Sequence, residues 1–187
     1  GTFTISDTVI RDNSTNNDDG GGIYNQSTLT IRNSIISGNS ASDGGGIANF
    51  PYGNLIIINS KISRNYAPFD GGGIYNSGTA TVVNSTISGN SDPWNGGGIY
   101  NNEAVNVLNS TISRNSVSDN GGGIYNSGTA TVVNSTISGN SDPWNGGGIY
   151  NNEAVNVLNS TISRNSVSDN GGGIYNSGTA TVVNSTI

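Results

Sequence analysis

The chain contains no cysteine, no histidine and no methionine among its 187 residues. Without cysteine it forms no disulfide bonds and offers no thiolate ligand to a metal. Without histidine it lacks the commonest metal ligand and general base. Chains without cysteine suit oxidising or extracellular settings.

Charged residues are scarce as well, at 10% of the chain, and only six of them are Lys or Arg. The net charge of −6 excludes the basic surface on which nucleic-acid binding depends. The longest apolar run, LIII at residues 55–58, is far too short to span a bilayer, so we expect no transmembrane segment. Only 32% of residues are hydrophobic, and a polar chain of this kind folds only if its apolar residues recur with a period.

That period is present. The triplet GGG begins at residues 20, 44, 71, 96, 121, 146 and 171, and residues 71–120 return unchanged as residues 121–170. A repeat of about 20–50 residues is typical of a solenoid, a propeller or a helical array. Twenty-five residues are too few for a propeller blade, which needs about 40. Glycine and asparagine every few residues exclude a helical repeat.

Three columns of residues are apolar in every copy, and Ala80, Thr81 and Val82 show the alternation of a β-strand. We therefore predict an all-β solenoid of about 25 residues per rung, with short strands at 73–75, 79–83 and 85–88 and a loop at 89–95. The whole chain, residues 1–187, forms one such domain of about eight rungs, the first and last being partial. The interior columns are represented by Ile74, Ile99 and Ile124; by Val82, Val107 and Val132; and by Ile87, Ile112 and Ile137.

Asparagine also recurs in three columns, which allows two interpretations. Amide oxygens can bind a ligand or a metal, but amides stacked at the corners of a solenoid also bond to one another from rung to rung. We favour three structural ladders, represented by Asn76 and Asn101, Asn84 and Asn109, and Asn90 and Asn115.

The columns that point outward are the candidates for binding at the surface. Aromatic side chains there can stack on a sugar or contact a partner protein, although such a tryptophan can equally cover the loop side of the rod. The candidates are Tyr75 and Tyr100, Trp94 and Trp144, and Thr86 and Thr111.

The motif GGGI followed by ISGN, at residues 36–39 and 87–90, resembles the paired motifs of the polymorphic outer membrane proteins. Those motifs read Gly-Gly-Ala-aliphatic and Phe-any-any-Asn, so glycine here stands in place of alanine and isoleucine in place of phenylalanine. More broadly, residues 71–91 resemble the repeats of large secreted bacterial proteins of the pectate-lyase-like superfamily. The resemblance implies a right-handed parallel β-helix, a place outside the cell or on its surface, and an adhesin-like role. It implies no catalytic residue.

We accordingly expect an extracellular structural or adhesive protein that forms a rigid rod or fibre, and no enzyme, because an active site needs one unique set of residues whereas this chain duplicates its own. Expected partners are further copies of the same rung, and a glycan or a receptor on a cell. The GGGIYN segment lacks the fourth glycine and the aspartate of calcium-binding nonapeptides, so we expect neither a metal nor a cofactor.

Two alternatives stay open. One is a polysaccharide lyase or hydrolase, for which Glu103 and Glu153 supply carboxylates about 10 Å apart. The other is an ice-binding protein that uses the Thr and Ser array, which Lys61 interrupts.

The chain begins and stops within a rung. A bare rung exposes unpaired strand groups that can pair with more chain. We therefore expect this sequence to be part of a longer molecule or to stack end to end on another copy.

The strand assignment predicts opposite results for two neighbouring substitutions. Ile112→Asp should unfold or fray the rod, because an unpaired charge in the interior costs on the order of several kcal/mol. Thr111→Asp should be tolerated on the outer face. Urea unfolding measures both changes, and equal losses of stability would contradict the assignment.

Overall fold

The computed structural model describes residues 1–187 and contains 22 β-strands and no helix. Each turn of chain supplies one strand to each of three sheets, because two corners and a loop interrupt the β-branched segments. The sheet of five-residue strands, called the long sheet, has eight members. They are Thr2–Ser6, Thr28–Arg32, Asn54–Ile58, Thr79–Val83, Ala104–Leu108, Thr129–Val133, Ala154–Leu158 and Thr179–Val183.

The other two sheets have seven three-residue strands each. The threonine sheet consists of Val9–Arg11, Ile35–Ser37, Lys61–Ser63, Thr86–Ser88, Thr111–Ser113, Thr136–Ser138 and Thr161–Ser163. The tyrosine sheet consists of Ile23–Asn25, Ile47–Asn49, Ile74–Asn76, Ile99–Asn101, Ile124–Asn126, Ile149–Asn151 and Ile174–Asn176.

Every strand pairs in parallel with its own counterpart one rung away, so that Ile99 lies opposite Ile74 on one side and Ile124 on the other. The chain passes through the two other sheets before it returns, and the coil is right-handed, as such crossovers almost always are. The predicted all-β parallel β-helix with three strands per rung is confirmed, with about seven turns. The strand predicted at 73–75 is shifted by one residue to Ile74–Asn76, and the strand predicted at 85–88 begins at Thr86 because the Ser85 N–H bonds to the hydroxyl of Ser110.

The interior is one continuous cluster of 24 buried residues that runs the length of the rod. Side chains of a strand alternate between this interior and the surface, and burying each large aliphatic side chain contributes roughly 1.5–3 kcal/mol. The nine residues chosen to represent the interior columns are all inaccessible to solvent: Ile74, Ile99, Ile124, Val82, Val107, Val132, Ile87, Ile112 and Ile137.

The glycine triplet serves two separate needs. Its first residue lies in the left-handed region, as in Gly96 with φ of 75°, where glycine is favoured. Its third residue has no room for a side chain, because a Cβ on Gly98 would lie 2.5 Å from the carbonyl oxygen of Gly123 in the next rung. Conformational freedom therefore explains only the first glycine, and close packing between rungs explains the third.

The close packing predicts that Gly98→Ala destabilises the rod by about 1–3 kcal/mol, because two rungs must move apart. Gly139→Asn is the matched control. Gly139 also has positive φ, but a Cβ there would meet nothing closer than the Cγ of Arg114 at 3.8 Å, and asparagine tolerates this conformation. Chemical denaturation of both variants checks the prediction, which fails if Gly139→Asn costs as much as Gly98→Ala.

Candidate functional site

Two asparagine columns form the buried amide ladders that line the corners of the solenoid. In the first, the Nδ2 of Asn76 donates to the Oδ1 of Asn101 at 2.7 Å, and Asn101 donates in turn to Asn126 at 2.7 Å. In the second, both the backbone N and the Nδ2 of Asn90 donate to the Oδ1 of Asn115, each at 3.0 Å. No buried side-chain polar atom lacks a partner, so these amides are committed to holding the rungs together.

The third predicted ladder is wrong for Asn84 and Asn109, although Asn59 of the same column donates to the Oδ1 of Asn33 at 3.4 Å. Asn84 and Asn109 are exposed, have φ of 49° and 50°, and form no amide bond with each other. Their positive φ makes them left-handed turn residues.

Serine occupies the buried place that this asparagine column was expected to fill. The backbone N of Ser85 donates to the Oγ of Ser110 at 3.0 Å, and the Oγ of Ser85 donates to the carbonyl of Val83 at 2.7 Å. The recurrent Asn-Ser pair therefore divides the work: asparagine makes the turn and serine makes the ladder. Serine recurs as regularly as the asparagine before it, so the pattern alone does not tell which of the two is buried.

Seven aromatic rings stack along the outer face of the tyrosine sheet. Tyr75, Tyr100, Tyr125 and their successors have ring centroids 4.8–5.2 Å apart and nearly parallel planes. Ala48 interrupts the column in sequence, and Phe50 fills the gap from two residues later, between Tyr24 at 4.8 Å and Tyr75 at 6.0 Å. Phe50 lies outside the repeat column, so the repeat did not predict its place among these rings.

This stack changes what the tyrosines can bind. A ring face that lies against the next ring cannot also stack on a sugar, so Tyr75 and Tyr100 offer edges and hydroxyl groups instead. Asn102 donates to the hydroxyl of Tyr75 at 3.3 Å. Burial, with the nearby Asp70 carboxylate, raises the pKa of Tyr100.

Trp94 and Trp144 lie on the loop side, where their side chains are half-exposed at 52% and 53%. Each tryptophan is held through its backbone N–H, which donates to the carboxylate two residues earlier, Asp92 or Asp142. The backbone of each tryptophan is therefore fixed while about half of the residue is exposed to solvent. Of the predicted surface aromatics, these two take no part in an aromatic stack.

Asp92 and Asp142 are almost fully buried, at 4% and 5% exposure, in a column that holds Ala67 and Val117 in neighbouring rungs. Burial raises the pKa of Asp92 to about 8 from the ordinary 3.8, although the N–H groups of Gly72 and Trp94 bond to its carboxylate and oppose the shift. Burial also raises the pKa of Asp142, but only to about 6. A third backbone N–H, that of Asn145, helps to hold this carboxylate in its charged form.

Thr86 and Thr111 lie opposite each other on the outer face of the threonine sheet and are half-buried. On the preceding rungs Lys61 and Ile35 occupy the same column. The hydroxyl array is thus regular only from Thr86 onward.

A surface cleft of about 390 Å³ lies beside the loop at residues 51–54. Glu103 is the one carboxylate that lines it. No group of three or more acidic side chains is placed to hold a metal ion. The structure has no helix with the length and apolarity that crossing a membrane demands.

One family model, described as "Right handed beta helix region", matches the chain twice, over residues 1–116 and over residues 69–187. Together the two matches cover the chain from end to end. Comparison with curated proteins finds no match, and neither does comparison with solved structures.

The buried carboxyl groups predict a rod that is more stable in acid. A raised pKa adds stability that is fully present below 3.8 and is lost as the pH rises through about 6 for Asp142 and about 8 for Asp92. The double variant Asp92→Val with Asp142→Val should flatten this loss, which we expect to be on the order of a few kcal/mol. Val117→Asp adds a third carboxyl to the column and should steepen it. Urea unfolding between pH 4 and 9 measures the slopes, and an unchanged slope in the double variant would refute the assignment.

Proposed function

Because the chain belongs to the right-handed β-helix family, we propose that it is an extracellular structural repeat protein, a rigid rod that presents adhesive side chains along its length. The main support for the proposal is that the repeated polar residues in the interior hold neighbouring rungs together. The buried amides and hydroxyls bond from one rung to the next, and none is left without a partner. Each additional rung therefore extends the same internal network.

Exact duplication supports length as the property that matters. Residues 71–120 and 121–170 are identical, so any side chain in one block is repeated two rungs further along. In a solenoid each rung contacts only its neighbours, and stability grows with the number of rungs. A duplicated block thus lengthens the rod without a new design of its interior.

The adhesive part of the proposal rests on the exposed aromatics. Large aromatic side chains that lie half in solvent are common anchors in recognition. Trp94 and Trp144 are held at their backbone and half-exposed, which suits contact with a glycan or a receptor. An extracellular location accords with the absence of cysteine and with the resemblance to secreted repeat proteins.

An enzyme on the same fold is the less supported reading. Glycoside hydrolysis uses two carboxyl groups that face one bond. The cleft beside Tyr52 presents Glu103 alone, and Glu153 lies two rungs away outside that cleft. Fold alone does not separate the two functions, and the arrangement of carboxylates favours the structural one.

The structural proposal predicts that the rod accepts further modules. A second copy of residues 121–170 inserted after Asn170 should lengthen it by two rungs, about 10 Å, and raise the melting temperature. Small-angle scattering measures the length and a thermal melt measures the stability. A copy shortened to residues 121–165 is the control, because it breaks the register and should lower the melting temperature.

The same preparations test the enzyme reading. Incubation with polygalacturonate and other uronic-acid polymers should release no unsaturated product. Release that Glu103→Gln abolishes would overturn the structural proposal in favour of a lyase.

A further inference from the structure

An aromatic–acidic column runs along the loop side of the rod, one residue before the loop bridges. The residues that follow it pair in parallel from rung to rung, which places the column itself in register. The Asn120 N–H also bonds to the Trp94 carbonyl at 3.0 Å, and the Asn170 N–H bonds to the Trp144 carbonyl at 3.0 Å. The members of the column are Phe69, Trp94, Asp119, Trp144 and Asp169.

The spacing of this column is that of a cage for one cation. Rungs are about 4.8 Å apart, so the backbones of Trp94 and Trp144 are separated by about 10 Å with Asp119 at the level between them. A cation interacts with an aromatic face within about 6 Å of the ring centroid. A cation at the level of Asp119 is thus within reach of both indoles and beside a carboxylate.

The two indoles are half-exposed, and neither takes part in an aromatic pair of the structure. The stack on the tyrosine sheet consists of tyrosines and Phe50 alone, and each of its rings lies against the next. Asp119 takes the place of a ring between the two tryptophans, which prevents a second stack of the same kind. The carboxylates of Asp92 and Asp142 hold the tryptophan backbones, so the points from which the two indoles project are fixed.

The charge of this side of the rod is negative and has no internal counterion. The charge of Asp119 adds a small part to the raised pKa of Asp70 and of Asp142, in which burial is the main cause. The one ion pair of the structure joins Arg11 and Asp12 at the other end of the chain. An external cation would therefore relieve the repulsion.

The chemistry of the column selects among cations. No acidic cluster here is suited to a metal ion, which would need several oxygen ligands. A primary ammonium is strongly hydrated and loses much of its hydration against an indole. A quaternary ammonium is the cation that aromatic cages recognise.

We propose that Trp94, Asp119 and Trp144 form a binding site for a quaternary ammonium group. The inference does not depend on the rod being adhesive or extracellular. It also gives the duplication a chemical consequence, because each added 50-residue block creates one more Trp–Asp–Trp set.

Tetramethylammonium chloride is the probe, and the fluorescence of the protein is the readout, since both tryptophans of the chain lie in the column. Sodium chloride replaces the probe at equal ionic strength as the reference titration. We expect a saturable change with tetramethylammonium alone. Asp119→Asn should weaken the binding about five- to tenfold, and Trp94→Ala should do the same.

Two variants serve as controls. Tyr100→Phe keeps a ring in the stack and should bind tetramethylammonium as the unmodified protein does. Trp94→Phe keeps a ring face in the column and should retain more affinity than Trp94→Ala. A thermal melt of each variant separates a lost site from a lost fold.

Stoichiometry gives a second readout that does not depend on a substitution. The protein with the extra copy of residues 121–170 should bind two probe cations in place of one, as isothermal titration measures. An equal response to sodium and to tetramethylammonium would overturn the proposal, as would equal effects of Tyr100→Phe and Asp119→Asn. A fluorescence change that depends on protein concentration, together with association of copies in sedimentation, would also overturn the proposal. An arginine of a second copy would then occupy the column.

Discussion

The register in which each strand pairs with its own counterpart, about 4.8 Å away, is the constraint on which the rest of the molecule depends. In-register pairing places isoleucine on isoleucine in the interior and amide on amide at the corners. A shift of one residue would turn every apolar side chain of a strand to the outside. The buried amides resist that shift, because each one has its partner only when the rungs are aligned.

The column that holds Asp92 and Asp142 departs from this pairing of like residues. Ala67 and Val117 show that a small apolar side chain fits there, yet two rungs carry a carboxyl group. The carboxylate accepts hydrogen bonds that fix the loop and the base of the neighbouring tryptophan. Burial raises the pKa of both groups. The two carboxyl groups that hold the loop therefore cost the rod stability as the pH rises.

The outer faces show how the same repeat produces two different aromatic surfaces. On the tyrosine sheet a ring occurs at every rung, and neighbouring tyrosine rings stack on one another. On the loop side a tryptophan occurs at alternate rungs with Asp119 between, and the rings stay open. The first surface is closed by its own stack, and the second has no such stack.

The sequence by itself determined the fold class, the rung length and the interior columns, because these follow from a period of 25 and from strand alternation that neighbouring copies repeat. Local pattern could not decide which polar column is buried, since Asn84 and Ser85 recur with equal regularity and only the backbone conformation at the corner separates them. Nor could it place Phe50 in the aromatic stack, fix which glycines touch the next rung, or bury Asp92 in an apolar column. Those outcomes depend on contacts between residues of different rungs that lie 20 or more positions apart in the chain, and so only the tertiary structure decided them.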